Sequence, residues 1–411
     1  MATSEMVSRP RRIFAPESRY KVLAACCACF ALYHAARQML LPALPLIKAE
    51  LGLTYAQAGL VVAAYNIGYA TTLFLSGYIS DLLNRKRLIF GGMLWLAFTL
   101  FATTLSRSFV ELTAIRILTG FAFGIYFAPA IGLISAYFSR EERGTAVSLH
   151  TGVGAGSGRF LGPALAGLTL VAFGWKFLFY VAAAVAVVVA LLFWKVVEEP
   201  PSEKKKALLP LGTLFSKVMA NRFLIGLGIC NGTFTACSTV LAAFLPLYLV
   251  NSLGMQVSFG GYAVALLNAV AIPMVPLFGY ASDRIGRKPV ATGVALLGAV
   301  GLLFLNRFTS FGPLVLVIAA TGMFAGGSFP IIITYVVDVM PLEYRSPSIG
   351  YVNTFTTLTS SAMAILAGYV SDAFGVATVF PFLAAISTLG GLVILAIREP
   401  RTGAAPAVDK A

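Results

Sequence analysis

The sequence predicts an all-α integral membrane protein of twelve transmembrane helices, arranged as two pseudo-symmetric six-helix bundles. Three observations predict it. Of the 411 residues, 59% are apolar and only 11% are charged, with a mean hydropathy of +0.87, so the chain cannot cover itself with a water-facing surface. Apolar stretches of roughly 20 residues, long enough to cross hydrocarbon as helices, recur along nearly the whole chain. Matching residues also return at one fixed offset in the two halves: Gly52 with Gly254, Gly59 with Gly261, Asn66 with Asn268, Gly77 with Gly279 and Asp81 with Asp283.

In chain order, spans are expected near 20–46, 56–81, 87–106, 109–138, 143–170 and 174–197 in the first half, and near 222–251, 257–284, 289–306, 311–340, 346–372 and 377–397 in the second. This gives an N-terminal arm (1–19), two six-helix halves (20–197 and 222–397), a linker (198–221) and a tail (398–411). The linker contains Glu-Glu-Pro-Pro followed by Lys204-Lys205-Lys206, the composition of an aqueous connection, and 207–211 could lie on the membrane surface. The first apolar run outlasts a signal-peptide core and shows no evident cleavage site, so it is expected to be retained as a span.

The formal charge of +14 raises the question of nucleic acid, and the placement of the charges excludes it. Most of the 30 Lys and Arg fall in the arm, linker, tail and alternate loops, on the side that holds both termini, whereas Lys48, Arg107, Lys176 and Arg307 fall on the other. Such an asymmetry is the positive-inside pattern; it predicts a multi-pass protein of the cell membrane with both termini cytoplasmic. Cys26, Cys27, Cys29, Cys230 and Cys237 all lie inside spans, without the Cys and His spacing of a metal site, and read as packing residues.

The sharpest repeated unit is Gly77-Tyr-Ile-Ser-Asp81-Leu-Leu-Asn-Arg85-Lys86-Arg87, matched by Gly279-Tyr-Ala-Ser-Asp283-Arg284-Ile-Gly286-Arg287-Lys288. It resembles the loop signature of the major facilitator superfamily, between the second and third helices and again between the eighth and ninth. The first copy departs from it at Leu82 and Asn84, where the pattern has Arg and Gly. Arg116 through Gly120, Arg140-Glu-Glu-Arg143-Gly144 and Phe173-Gly174-Trp175-Lys176 extend the resemblance over residues 20 to 397. The resemblance implies a carrier working by alternating access, in which these loops latch the halves together at the cytoplasmic face. It also implies a monomer in membrane lipid, with a small-molecule substrate, a coupled proton or counter-anion, and no cofactor or metal.

A carrier of this architecture binds its substrate near the bilayer midplane, so polar residues at that depth carry the functional information. His34, Arg37 and Gln38 share one face of span one at helical spacing. An arginine there needs a water-filled cavity, an anionic partner or a route to the interface. Span five carries Arg159 among Gly152, Gly154, Gly156, Gly158, Gly162 and Pro163. At about 100° per residue, Arg159 shares a face with Gly152, Ala155, Gly156 and Pro163, while His150 points nearly opposite, so one of the pair is expected to face the cavity. The glycines suit close approach by a helix of the other half, and Gly158 to Gly167 also resembles a span-five signature of proton-coupled drug exporters. Tyr126, Asn231, Thr235, Tyr335, Asn353 and Thr357 are further candidates for orienting a substrate, with ordinary helix-to-helix hydrogen bonding as the alternative.

No Asp or Glu lies near the middle of any span, which removes the usual proton carrier and the usual receptor for cationic drugs. His34 and His150 are left as groups able to take up a proton near neutral pH. An enzyme would need convergent nucleophilic, acid-base or metal groups, and two histidines offer too few. The sequence therefore favours secondary transport of a small organic anion, of carboxylate or organophosphate type, with drug or metabolite efflux as the alternative and a transporter-like receptor behind it. Arg37 and Arg159 correspond in the repeat to Thr239 and Ser361, so the charge belongs to the N-terminal half alone.

Overall fold

The computed structural model describes residues 16–139, 142–199, 221–325, 328–340 and 344–397. It consists of helices that cross twelve times: α1 (Pro16–Gln38 continued by Leu40–Leu51), α2 (Tyr55–Leu82), α3 (Arg85–Leu105), α4 (Phe109–Tyr137), α5 (143–173) and α6 (175–196), then α7 (Arg222–Asn251), α8 (Val257–Ile285), α9 (Arg287–Phe304), α10 (Phe311–Ala325 and Ser328–Val339), α11 (Arg345–Phe374) and α12 (Val379–Ala396). Most of the expected linker, and all of the C-terminal tail, lie outside the described residues.

Local chemistry places the ends. Asn84 and Ser108 cap α3 and α4 by accepting from the N–H groups of Arg87 and Glu111. Gly52 and Gly254, paired in the sequence repeat, end α1 and α7 at φ of 63° and 66°, a left-handed conformation that glycine adopts without penalty. Gly174 does the same between α5 and α6 at φ 71°, breaking a helix that otherwise runs from Ala155 to Val196.

Within each half, lipid is as apolar as leucine, so close van der Waals contact holds the helices together. A Cβ on Gly68 or Gly120 would lie 2.0 or 2.1 Å from a carbonyl oxygen of the facing α4 or α2, which shows how tightly those two helices pack. Gly158 and Gly162 press in the same way on Ala31 and Ala35 of α1. These two glycines were expected to admit a helix of the other half; they serve packing inside their own half instead.

The halves meet along two seams, both at the face opposite the one that carries the basic loops. In one, Gly59 and Gly368 bring α2 against α11. In the other, Gly261 of α8 packs on Gly167 and Pro163 of α5. Between the seams Leu41, Leu44 and Val62 join Leu241, Phe244 and Tyr248 in a continuous apolar seal. Across the basic face the loops pair within their own halves. Arg287 bonds to Ser282 Oγ (2.6 Å) and Asp338 (3.0 Å) and pairs with Asp283, while Arg284 stacks on Tyr280. Lys288 donates to the Ile397 carbonyl, Arg85 to the Gly132 carbonyl, and Lys86 sits over Trp194. Each of these contacts stays within one half. The structure is thus closed at the opposite face and open at the basic one.

The two copies of the loop signature differ for a local reason. Gly286 joins α8 to α9 at φ 109°, whereas Asn84 sits at φ −65° and uses its side chain as a helix cap. The side chains of Gly77 to Leu82, including Asp81, lie outside those described. Gly279 has open space around it.

Candidate functional site

Beneath the apolar seal lies a narrow recess lined by Arg37, Gln38, Leu41, Val62, Tyr65, Arg116 and Thr239. Arg37 is half-buried and its guanidinium lies 5.6 Å from the Tyr65 ring centre. Arg116 faces the same ring at 4.8 Å and is only 1% exposed. Two cations therefore share one aromatic face system, which favours them electrostatically through the ring quadrupole. Arg116 was expected to serve gating as part of a loop-and-helix motif; its side chain instead points into the recess, because it projects from the α4 face that packs on Tyr65 and Gly68 of α2. Its Nε and Nη1 are buried without a hydrogen-bond partner, as are Gln38 Oε1 and Tyr65 Oη.

Arg159 completes the cluster. On α5, Gly158 and Gly162 face α1, whereas Gly156, Pro163 and Gly167 face Ile272 and Gly261 of α8. At about 100° per residue, Arg159 falls between those two faces and projects into the wedge between α1 and α8. It is exposed within that wedge, with Arg37, Tyr69 and His34 inside electrostatic reach. No ion pair to a carboxylate involves Arg37, Arg116 or Arg159 among the described residues.

His34 and His150 are packed in the N-terminal half against Phe30, the first edge-on and the second stacked, with ring centres 4.6 and 4.5 Å away. The α5 helix contains a π-turn, His150–Gly154. Its extra residue shifts the helical phase between His150 and Arg159, so the geometry expected for an uninterrupted α-helix does not apply. His150 is fully buried: Tyr126 Oη donates to the Cys26 carbonyl (2.7 Å) and receives His150 Nε2 at 3.0 Å. Tyr126 is accordingly withdrawn from the cavity, 0% exposed, and works as an internal tie between α1, α4 and α5.

Two other sequence candidates move the same way. Asn231 is fully buried and donates to Thr356 Oγ1 (2.9 Å), tying α7 to α11, and Tyr335 is 3% exposed with its ring edge-on to Phe223. A polar residue on a membrane helix turns to a neighbouring helix when one is in reach; the Asn231 amide donates in this way, with its Oδ1 left unpaired, and the Tyr335 ring packs on α7. Thr235, Asn353 and Thr357 stay partly exposed on the C-terminal half; Asn353 Oδ1 is unpaired and Thr357 bonds its own helix through the Asn353 carbonyl.

Sequence reasoning missed one element of the gate. Asp372, in the last turn of α11, accepts the N–H groups of Tyr55 (2.7 Å) and Ala56 (2.8 Å), the first residues of α2 in the other half. A carboxylate on a helix N-terminus compensates both the orphan donors and the helix dipole. Tyr55 is further held by Lys48 over its ring at 4.4 Å and by Asn251, whose amide donates to its hydroxyl at 3.2 Å. The signal available was the dipeptide Ser371-Asp372 at a span end, which reads as ordinary interfacial charge.

Twelve membrane helices in two halves, enclosing a polar recess that is sealed toward one side and open toward the other, define a transport protein rather than an enzyme. The description of the Major Facilitator Superfamily matches residues 26–274 and 227–410, and the chain belongs to that family. A probable galactarate/D-glucarate transporter of Bacillus subtilis (strain 168) is 25% identical over 369 residues, 80% of each chain. A D-galactonate transporter of Escherichia coli O6:H1 is 24% identical over 391 residues, 84% of this chain and 87% of its own. Among solved structures, a bacterial homologue of the human lysosomal transporter Spinster, inward-facing and unoccupied, superposes with a TM-score of 0.78 at 17% identity, covering 94% of this chain and 100% of its own. That likeness is one of fold.

Proposed function

We propose that this multi-pass protein is a secondary carrier that moves a small organic anion of carboxylate or organophosphate type across the cell membrane. The observation that carries the reading is the pair Arg37 and Arg116 lining the recess, with Arg159 in electrostatic reach of Arg37 and no carboxylate paired to any of the three among the described residues. Guanidinium groups form planar, bidentate hydrogen bonds to carboxylate and phosphate, and unpaired donors within a recess are receptors for such groups. Two relatives of similar length are named for sugar-acid transport, which supports the same class. The basic face is cytoplasmic by the distribution of Lys and Arg, so the described state is open to the cytoplasm. The halves 20–197 and 222–397 rock about the recess. Opening toward the outside breaks the contact of Asp372 with α2 and parts the α5–α8 seam, while the repeated loops Gly77–Arg87 and Gly279–Lys288 close the cytoplasmic side.

Gln38 and Tyr65 orient the substrate from the N-terminal half and Thr235, Thr239, Asn353 and Thr357 from the other, by neutral hydrogen bonds.

The test is a thermal-shift screen of the purified carrier against organic acids, sugar phosphates and organic cations, followed by flux in liposomes. Anions are expected to stabilise the protein, and Arg37→Ala, Arg116→Ala and Arg159→Ala each to lower anion flux at least tenfold. Stabilisation by cations only, or undiminished anion flux in all three variants, refutes the proposal.

A further inference from the structure

Resting on the anion reading, we infer that the carrier is an obligate exchanger of anions bearing at least two negative charges: it crosses between its two open states only with such an anion bound. The argument starts from the charge in the recess. Arg37 and Arg116 line it and Arg159 stands within electrostatic reach of Arg37, three permanent positive charges in all, and Arg116 holds Nε and Nη1 buried and unpaired. In the present state the cavity is open on the basic side, so water can solvate Arg159 and Arg37. Alternating access requires the opposite arrangement as well, and between the two the recess is cut off from both aqueous phases. Cations removed from water without a counter-charge carry a heavy desolvation penalty, so the occluded empty carrier is a barrier state.

No acidic residue lies near the middle of a span to relieve that penalty. The acidic residues stand at helix ends, in loops or in the terminal arms: Glu17, Glu50, Asp81, Glu111, Glu198, Asp283, Asp338 and Asp372 are representative. The C-terminal wall of the recess offers Thr239, with Thr235, Asn353 and Thr357 nearby, all neutral. The titratable groups around the arginines are the phenols of Tyr65 and Tyr69 and the imidazoles of His34 and His150. A proton delivered to either imidazole adds positive charge instead of removing it. The Tyr65 ring disperses part of the charge of Arg37 and Arg116, but a ring face does not neutralise a cation. Only a bound anion compensates the recess. A monoanion leaves most of the charge uncovered, whereas a dianion reduces three uncompensated charges to one, shared over an aromatic face.

The repeat provides the discriminating substitution. Thr239 is the residue related to Arg37 by the internal offset, and it lines the same recess from the other half. Thr239→Asp places a carboxylate opposite Arg37, which supplies one of the missing counter-charges within the protein itself, so that a monoanion completes the pair.

The experiment uses the full-length carrier in liposomes preloaded with radiolabelled D-glucarate or succinate, both dianions at neutral pH, or with D-galactonate, a monoanion, with the membrane potential clamped. The outer buffer contains only bulky sulfonates as anions. Efflux of the dianions is expected to rise at least tenfold when the same unlabelled dianion is added outside, to be unchanged by a protonophore, and to exceed that of galactonate. In Thr239→Asp, galactonate exchange is expected to rise to within a few-fold of the dianion exchange of the unaltered carrier, because the carboxylate and one monoanion together supply two negative charges, whereas Thr239→Asn gives no such rise. Efflux from the unaltered carrier that is equally fast with and without external anion overturns the exchange inference, as does galactonate exchange matching that of the dianions. A folded Thr239→Asp protein that retains dianion exchange with no gain for galactonate overturns the electrostatic argument. Absence of movement for every anion in both modes, while a cation is carried, overturns the anion reading beneath it.

Discussion

Asp372→Asn is expected to tilt the carrier toward the state open at the face opposite the basic loops. In the structure the Asp372 carboxylate receives two N–H groups of the other half, at 2.7 and 2.8 Å, and it is exposed. A buried charge-assisted hydrogen bond contributes about 1.5–3 kcal/mol, and exposed charge interactions contribute about 0.2–1 kcal/mol. Two bonds at an exposed helix N-terminus, one of which the asparagine oxygen can still accept in weakened form, come to roughly 1–2 kcal/mol, a shift of about 5- to 30-fold in the equilibrium between the two states. These contacts exist only while the α2–α11 seam is closed, so the whole difference appears in the conformational equilibrium. The assay is the rate at which an impermeant thiol reagent, added from the outside, modifies a Val62→Cys reporter in a background freed of the native cysteines. Val62 lies in the recess just beneath the apolar seal and becomes reachable when that seal parts. Labelling is expected to accelerate about 5- to 30-fold in Asp372→Asn, as that shift implies, and to stay near the starting rate in Asp372→Glu. Equal labelling with and without the substitution, in protein of equal abundance, refutes the reasoning.

Other substitutions follow from the same contacts. Gly261→Leu puts a side chain where a Cβ alone would lie 2.4 Å from Gly167 N, so the α5–α8 seam cannot close; Val62→Cys labelling should rise and thermal stability fall. Tyr126→Phe leaves the Cys26 carbonyl and His150 Nε2 without their shared partner and should lower stability by about 1 kcal/mol, read by thermal melting, while substrate preference in liposomes is unchanged. Arg287→Gln removes pairings with Asp283 and Asp338 that are partly exposed, so the melting temperature should move little, by the equivalent of about 1 kcal/mol or less.

What was legible in the sequence was whatever depends on composition or on the duplication. Gly52 and Gly254 announced two equivalent helix ends because a left-handed turn demands the same residue in both copies. Span number followed from apolar runs, since lipid solvates the exterior whatever the packing. Direction within the bundle was harder to read. Tyr126, Asn231 and Tyr335 look like site residues because polarity at depth is rare, yet each meets a partner on a neighbouring helix. The π-turn at His150–Gly154 leaves no mark in residue spacing, and it alters the phase on which the relation of His150 to Arg159 was computed. Arg116 was assigned with the motif it belongs to, and only the close α2–α4 packing shows that it reaches Tyr65.

The two seams between the halves are chemically unlike. One couples a carboxylate to backbone donors at its end, and the other presses Gly261 on Gly167 without a charge at that contact. Both nevertheless contribute to a single free-energy difference between the two open states. A loss at either is therefore open to repair at a distant position: a variant stalled by weakening the Asp372 contact should be rescued by second-site changes that disfavour the other open state, including ones in the basic loops that never touch it. Selection for restored growth on a transported substrate would map that thermodynamic balance as a set of scattered suppressors rather than as a continuous path through the bundle.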